Sequence, residues 1–286
     1  MSPEFISSLC DGILMGCVYG VAAMGLTLIW GVMRVVNLGH GAIMALGMFA
    51  LSLLVAHLGL NPYLALAGVA LLGFVCGVGM YWTAVHRLID APYLSTLLST
   101  FAVNMMLIGM GTAVFTTTPR NIDFAMRTVR IGALAFPGTR LAAAAIAVLV
   151  TAGLHLFLHR SRTGAAIRAV ASNRAAAELM GIPSARMLSL SFGIGAMLAA
   201  VAGGLIATIF PFTILSGESY QMRSFVVCVL GGLGNPLGAL AGGIVLGLLE
   251  GGIPFFMPVS WVPVIEFAIF VLVLMVRPTG LFGGER

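Results

Sequence analysis

Lysine is absent from the chain, and all 14 basic residues are arginine. The phosphate-cradling signature G-x-x-x-x-G-K-[ST] therefore cannot occur, which excludes ATP hydrolysis on a P-loop of this chain. Acids are scarce too: nine carboxylates are scattered singly through 286 residues, so no paired-carboxylate centre is on offer. Charged residues make up 8% of the total, against roughly a quarter in a soluble domain. The four cysteines, Cys10, Cys17, Cys76 and Cys228, lie in or beside apolar segments without paired spacing. That pattern reads as small apolar side chains in helices, not as disulfides or metal ligands. The signatures G-x-S-x-G, H-E-x-x-H and CxxC are missing as well, so no enzyme, bound cofactor or metal site is expected. The pI near 9.4 comes from arginines at the ends of apolar segments. They form no basic face, and nucleic acid is not an expected partner.

What the chain does have is apolar length. Sixty per cent of residues are hydrophobic and the mean hydropathy is +1.11. A spanning helix needs about 20 mostly apolar residues, and the expected class is all-α: a polytopic transmembrane bundle. Spans are expected near 5–33, 41–57, 63–87, 93–116, 141–158, 187–210 and 261–276. Residues 1–4 carry no positive side chain, and the apolar run after them is too long for a signal-peptide core, so the first segment is expected to be retained. Two stretches are interrupted. Asn37, Leu38, Gly39, His40 and Gly41 break the chain after the first span. In the second half, Gly231, Gly232, Gly234 and Asn235 break the stretch 216–250 into a broken or re-entrant helix and a following helix. Counting these gives about 8–9 membrane segments in two pseudo-symmetric halves. Unwound backbone at membrane depth has to be buried in protein or line a cavity, so both breaks are candidates for the translocation path.

Two polar loops carry most of the charge. Residues 116–140 hold four arginines and Asp123; Arg160–Arg186 holds five arginines and Glu178. Placing 160–186 in the cytoplasm puts Arg34 and Arg87 on the same side by parity, with the N-terminus outside; Arg277 and Arg286 favour an inside C-terminus, which requires an odd number of crossings. The 116–140 loop is the exception. Within 160–186, Asn173 is a good N-cap and Gly181 a natural C′ residue. Pro183 blocks continuation, and Ser184 is expected to cap the next span. The result is a helix of about two turns over Arg174, Ala175, Ala176, Ala177, Glu178, Leu179, Met180, Gly181 and Ile182, with Arg174 and Glu178 paired at i, i+4. So short a helix needs a packing partner, and its isolated position suits a cleft on a soluble protein. Among intramembrane acids, Glu250 and Glu266 sit near segment ends, where an interfacial setting is the simpler reading. As pathway residues they would instead support an ion-coupled secondary transporter or channel.

Three stretches resemble the permease subunits of branched-chain amino acid ABC importers, the LivH type. Val35–Gly47, VVNLGHGAIMALG, is similar to that family's "INFAHG" segment. Arg162–Ile182 is similar to the loop whose helix couples to the ATPase. Val229–Gly247, VLGGLGNPLGALAGGIVLG, is similar to its Gly-rich block, and Arg277-Pro278-Thr279-Gly280 to its "PTG" ending. Ala42 stands where the family often has an acid, and Arg174 where the coupling motif begins with one. The resemblance implies one permease domain over residues 1–286 with a cytoplasmic coupling loop at 160–186, in the bacterial inner membrane. It also implies a LivM-type second permease, two ATPase subunits that bind the ATP and Mg, and a periplasmic substrate-binding protein. ATP-driven closure would then move the 174–182 helix and switch the pathway.

Overall fold

The computed structural model describes residues 3–131, 134–277 and 280–281; Pro278, Thr279 and Arg286 lie outside these. The helices α1 (Pro3–Met33), α2 (His40–Leu58), α3 (Pro62–Met80) and α4 (Tyr93–Phe115), a β1–β2 hairpin (Val129–Ile131, Leu134–Phe136) and α5 (Gly138–Arg160) run in order. Then come α6 (Arg162–Ser172), α7 (Arg174–Leu179), α8 (Ser184–Ala207), α9 (Ser216–Gly231), α10 (Pro236–Gly252) and α11 (Val262–Val276). Among the described residues, eight helical stretches are long and apolar enough to cross a membrane, α9 not being one of them. The chain is a polytopic helical membrane protein.

Local chemistry sets the helix ends. The Asn61 side chain accepts from the Tyr63 N–H at 3.0 Å and starts α3, with Pro62 at its first position. Gly59, at φ 61°, closes α2 in the left-handed region. The polar 116–140 loop, read above as a plain loop, carries the antiparallel hairpin with Arg130 opposite Ala135. Ser184 does not cap α8. Pro183 holds the cap position, no side-chain bond closes the turn, and the Ser184 hydroxyl is buried without a partner among the described residues.

Packing is organised around α1 and α8, which are buried almost all round, whereas α4 and α11 present mostly exposed apolar side chains. An all-round apolar helix suits such a central place. α1 lies antiparallel to α10 along a seam of glycines, Gly12, Gly16 and Gly20 against Leu240, Gly243 and Gly247. Small residues let the two backbones touch, the main source of helix association where lipid offers no hydrophobic drive.

The bundle has two distinct ends. Tyr63 donates to the Thr139 carbonyl, Arg120 bridges Phe212, and Arg140 pairs with Asp11, so residues 58–62, 116–140 and the start of α1 share one end. Asp90 pairs with Arg174, and Gly31 packs on Gly234, so α6, α7 and the α9–α10 turn share the other. α9 starts part-way between them: Gly217 packs on Gly41 at the first turn of α2. One turn later Tyr220 faces Tyr19, ring centroids 6.3 Å apart, next to the midpoint of the 31-residue α1.

Candidate coupling surface and translocation path

α7 is shorter than the expected 174–182 span. It runs from Arg174 to Leu179, Met180 is its C-cap, and Gly181 and Ile182 lie beyond it. The reason is the closing motif. Gly181 sits at φ 80°, its N–H donates to the Glu178 carbonyl at 2.9 Å, and the Ile182 N–H donates to the Ala177 carbonyl at 3.0 Å. This paired pattern is a Schellman closure. At the other end the Asn173 side chain accepts from the Ala176 N–H at 3.0 Å. Arg174 pairs with Glu178 at 3.2 Å, as its spacing predicts, and also with Asp90 at 2.9 Å. It therefore ties α7 to the turn before α4. Only Ala177 is buried; Ala175, Ala176 and Glu178 are exposed, and Leu179 and Met180 are 90% and 82% exposed.

α6 went unread in the sequence. Ser161 caps it by accepting from the Gly164 N–H at 2.8 Å, and Gly164, Ile167 and Val170 form its buried face. That i, i+3, i+6 spacing behind a serine was the available signal. The charges of the surrounding arginines obscured it.

The first break is closed from three sides. The Asn37 side chain accepts from the Gly39 N–H at 2.9 Å. The Thr100 hydroxyl of α4 donates to the Val36 carbonyl at 3.2 Å and takes the Leu38 N–H at 3.3 Å. The Gln221 side chain of α9 accepts from the Gly41 N–H at 2.8 Å. Asn37, Gly39, His40 and Gly41 are buried and Leu38 half-buried, and the His40 ring lies against α1 at Ala22 and Gly25. Here irregular backbone is buried in protein. In the second break, Gly232 and Gly234 take φ 89° and 87°, Gly231 packs on Gly238, and Asn235 caps α10 by accepting from the Gly238 N–H at 3.1 Å. Gly234 and Asn235 line a cavity of about 750 Å³ together with Arg34, His159 and Arg168. The two breaks are thus not brought together: one is sealed at depth, the other opens at the α7 end.

Arg223 is the residue that sequence reasoning missed. It donates to Glu250 at 2.7 Å and lies 4.0 Å from Glu266. It also donates to the Tyr19 hydroxyl at 3.1 Å, and the rings of Tyr19 and Tyr220 flank its guanidinium. Glu266 is 3% exposed, which departs from the expected interfacial setting, while Glu250 and Arg223 are half-buried and border open space. With Arg140 and Asp11, this cluster borders a cavity of about 450 Å³ toward the hairpin end.

With the helical bundle, the exposed capped helix and the absence of a P-loop in view, comparison with known proteins decides the family. The family model described as the permease component of branched-chain amino acid transport systems matches residues 8–274. The chain belongs to this family. The permease is 30% identical to the high-affinity branched-chain amino acid transport permease BraD of Pseudomonas aeruginosa, over 98% of this chain and 96% of that one. It is 27% identical to LivH of Escherichia coli K12 with the same coverage. It is also 28% identical to the fructose import permease FruG of Bifidobacterium longum, over 88% of this chain and 77% of that one. The permease component of such importers is not itself an enzyme; hydrolysis belongs to a separate subunit.

Proposed function

We propose that this permease forms half of the translocation pathway of an ATP-driven importer for branched-chain amino acids, paired with a second, LivM-type permease. Two ATPase subunits bind ATP and Mg, and a periplasmic binding protein delivers the substrate. The assembly lies in the inner membrane with the hairpin end outside and the α7 end in the cytoplasm. Arginine placement supports this orientation. Arg34, Arg87, Arg160, Arg162, Arg168, Arg174 and Arg186 belong to the α7 end. Two of the four arginines of the 116–140 stretch are engaged within the protein, Arg140 with Asp11 and Arg120 over the Phe49 and Phe115 rings.

The observation that carries the coupling role is α7 itself, two turns long, locked at both ends and presenting Leu179 and Met180 almost fully to solvent. A pair of large apolar side chains held on a rigid, isolated helix is the anchor geometry of a helix-in-groove contact. Branched-chain substrates rest on the BraD and LivH relatives. The double variant Leu179→Asp/Met180→Asp tests the coupling role. It should insert in the membrane normally but lose co-purification with the ATPase subunits and binding-protein-dependent ATP hydrolysis. Retention of both would remove α7 as the coupling element.

A further inference from the structure

Leu215, the N-cap residue of α9, and Glu218, Ser219 and Met222 in its first two turns fall at i, i+3, i+4 and i+7 and form one exposed face. That face lies at depth. Gly217, between these residues, packs on the start of α2, and Tyr220 meets Tyr19 near the midpoint of α1. Glu218 is in no ion pair among the described residues, the carboxylates of Asp11, Asp90, Glu178, Glu250 and Glu266 taking all the pairings found. An acid in the first turn of a helix complements the helix dipole, but that gain does not require burial in a membrane. An unpaired carboxylate turned toward lipid at mid-depth costs far more than the dipole returns, and intramembrane acids face a bundle interior or a water-filled cavity instead. The exposed faces of α4 and α11 carry no such group at this depth: theirs are Leu98, Phe101, Met105, Phe267 and Val271.

We propose that this face of α9 lines a water-filled path and that Glu218 receives the α-ammonium group of the passing amino acid. Its chemistry fits both ends of such a substrate. A carboxylate with a neighbouring hydroxyl, Ser219, matches the ammonium, and Leu215 and Met222 above and below it match an aliphatic side chain. Arg223, at the border of the same face, is held by Glu250 and Tyr19 and so does not neutralise Glu218. This inference rests on the amino-acid importer reading given above.

The test uses the complete transporter in liposomes, with the four native cysteines of this chain replaced by alanine. Glu218→Cys and Ser219→Cys should react with a trimethylammonium-ethyl methanethiosulfonate reagent, whereas Val271→Cys and Leu149→Cys on exposed apolar faces should not. Leucine delivered by the binding protein should slow the reaction at residue 218. In the native-cysteine chain, Glu218→Gln should lower leucine uptake about tenfold or more, the effect of losing one charge-assisted contact, while still co-purifying with the ATPases. Glu218→Asp should recover part of the uptake. Residues 218 and 219 as unreactive as 271 would overturn the aqueous path, meaning a lipid-facing or dry subunit contact. Wild-type uptake by Glu218→Gln would overturn the ammonium contact. Failure of the unmutated assembly to move leucine would instead strike the importer reading.

Discussion

Adding one methyl group at Gly16 should destabilise the fold more than its size suggests. A Cβ built there lies 2.5 Å from the Gly243 carbonyl oxygen and 2.8 Å from the Ile244 Cα. Ordinary contact begins near 3.4 Å, so α1 and α10 must separate by about 0.9 Å. The obstructing atoms are backbone and cannot rotate aside. Overpacking of this kind costs roughly 1–3 kcal/mol, and a gap of that width forfeits a quarter to a half of each dispersion contact it opens. The gain in helix propensity from glycine to alanine returns at most about 1 kcal/mol. Gly16→Ala should therefore lose about 2 kcal/mol net. Gly109→Ala and Gly153→Ala, on α4 and α5 with nothing within 4 Å of the added carbon, should be neutral or gain a few tenths. The double variant Gly16→Ala/Gly243→Ala should lose less than the sum of its parts, because the first methyl has already opened the seam for the second. Thermal unfolding in detergent, followed by tryptophan fluorescence, reads all four. If Gly16→Ala melts with Gly109→Ala, the backbone contact is not what joins α1 to α10.

Arg223→Ala should destabilise by about 1–3 kcal/mol, less than for a fully buried pair because Arg223 and Glu250 are half-buried, as it leaves two carboxylates without their shared cation. Replacing Glu250 and Glu266 by glutamine in the same chain should restore much of the yield of folded protein in detergent, and no recovery would mean Arg223 acts through packing. Gly181→Ala meets nothing within 4 Å of the added methyl, yet its positive φ costs an L-residue roughly 1–2 kcal/mol, so the closure of α7 should open locally. That cost should appear as about a tenfold weaker association with the ATPases in a titration, and unaltered affinity would contradict the importance of the Schellman closure.

What could be read from the sequence was what neighbouring residues decide. Asn61-Pro62, Asn173 and Gly181 act within one helical turn of themselves, so the starts of α3 and α7 and the closure of α7 were legible. α9 and α10 were legible as separate helices because Gly231–Asn235 interrupts the apolar sequence between them. The Ser184 cap failed because Pro183 directs the chain into α8 with the serine side chain already inside the packing. Arg223 was illegible for a different reason. Its partners Tyr19, Glu250 and Glu266 lie on three other helices, and only their convergence shows that one guanidinium serves all three. The depth of Glu218 is likewise set by where α2 starts, which apolar counting does not report.

The order of synthesis adds a constraint on Arg223. Glu250 follows it by roughly 27 residues and Glu266 by roughly 43, and chains elongate at about 5–20 residues per second. Arg223 is therefore synthesised seconds before either carboxylate exists. Among the described residues, Tyr19, made 204 residues earlier, is the polar contact of this hub that lies on a helix already complete. Its hydroxyl and ring offer the nascent arginine a first resting place inside the growing bundle. The same tyrosine that later looks like a minor member of a charged cluster is, during birth of the chain, its senior one.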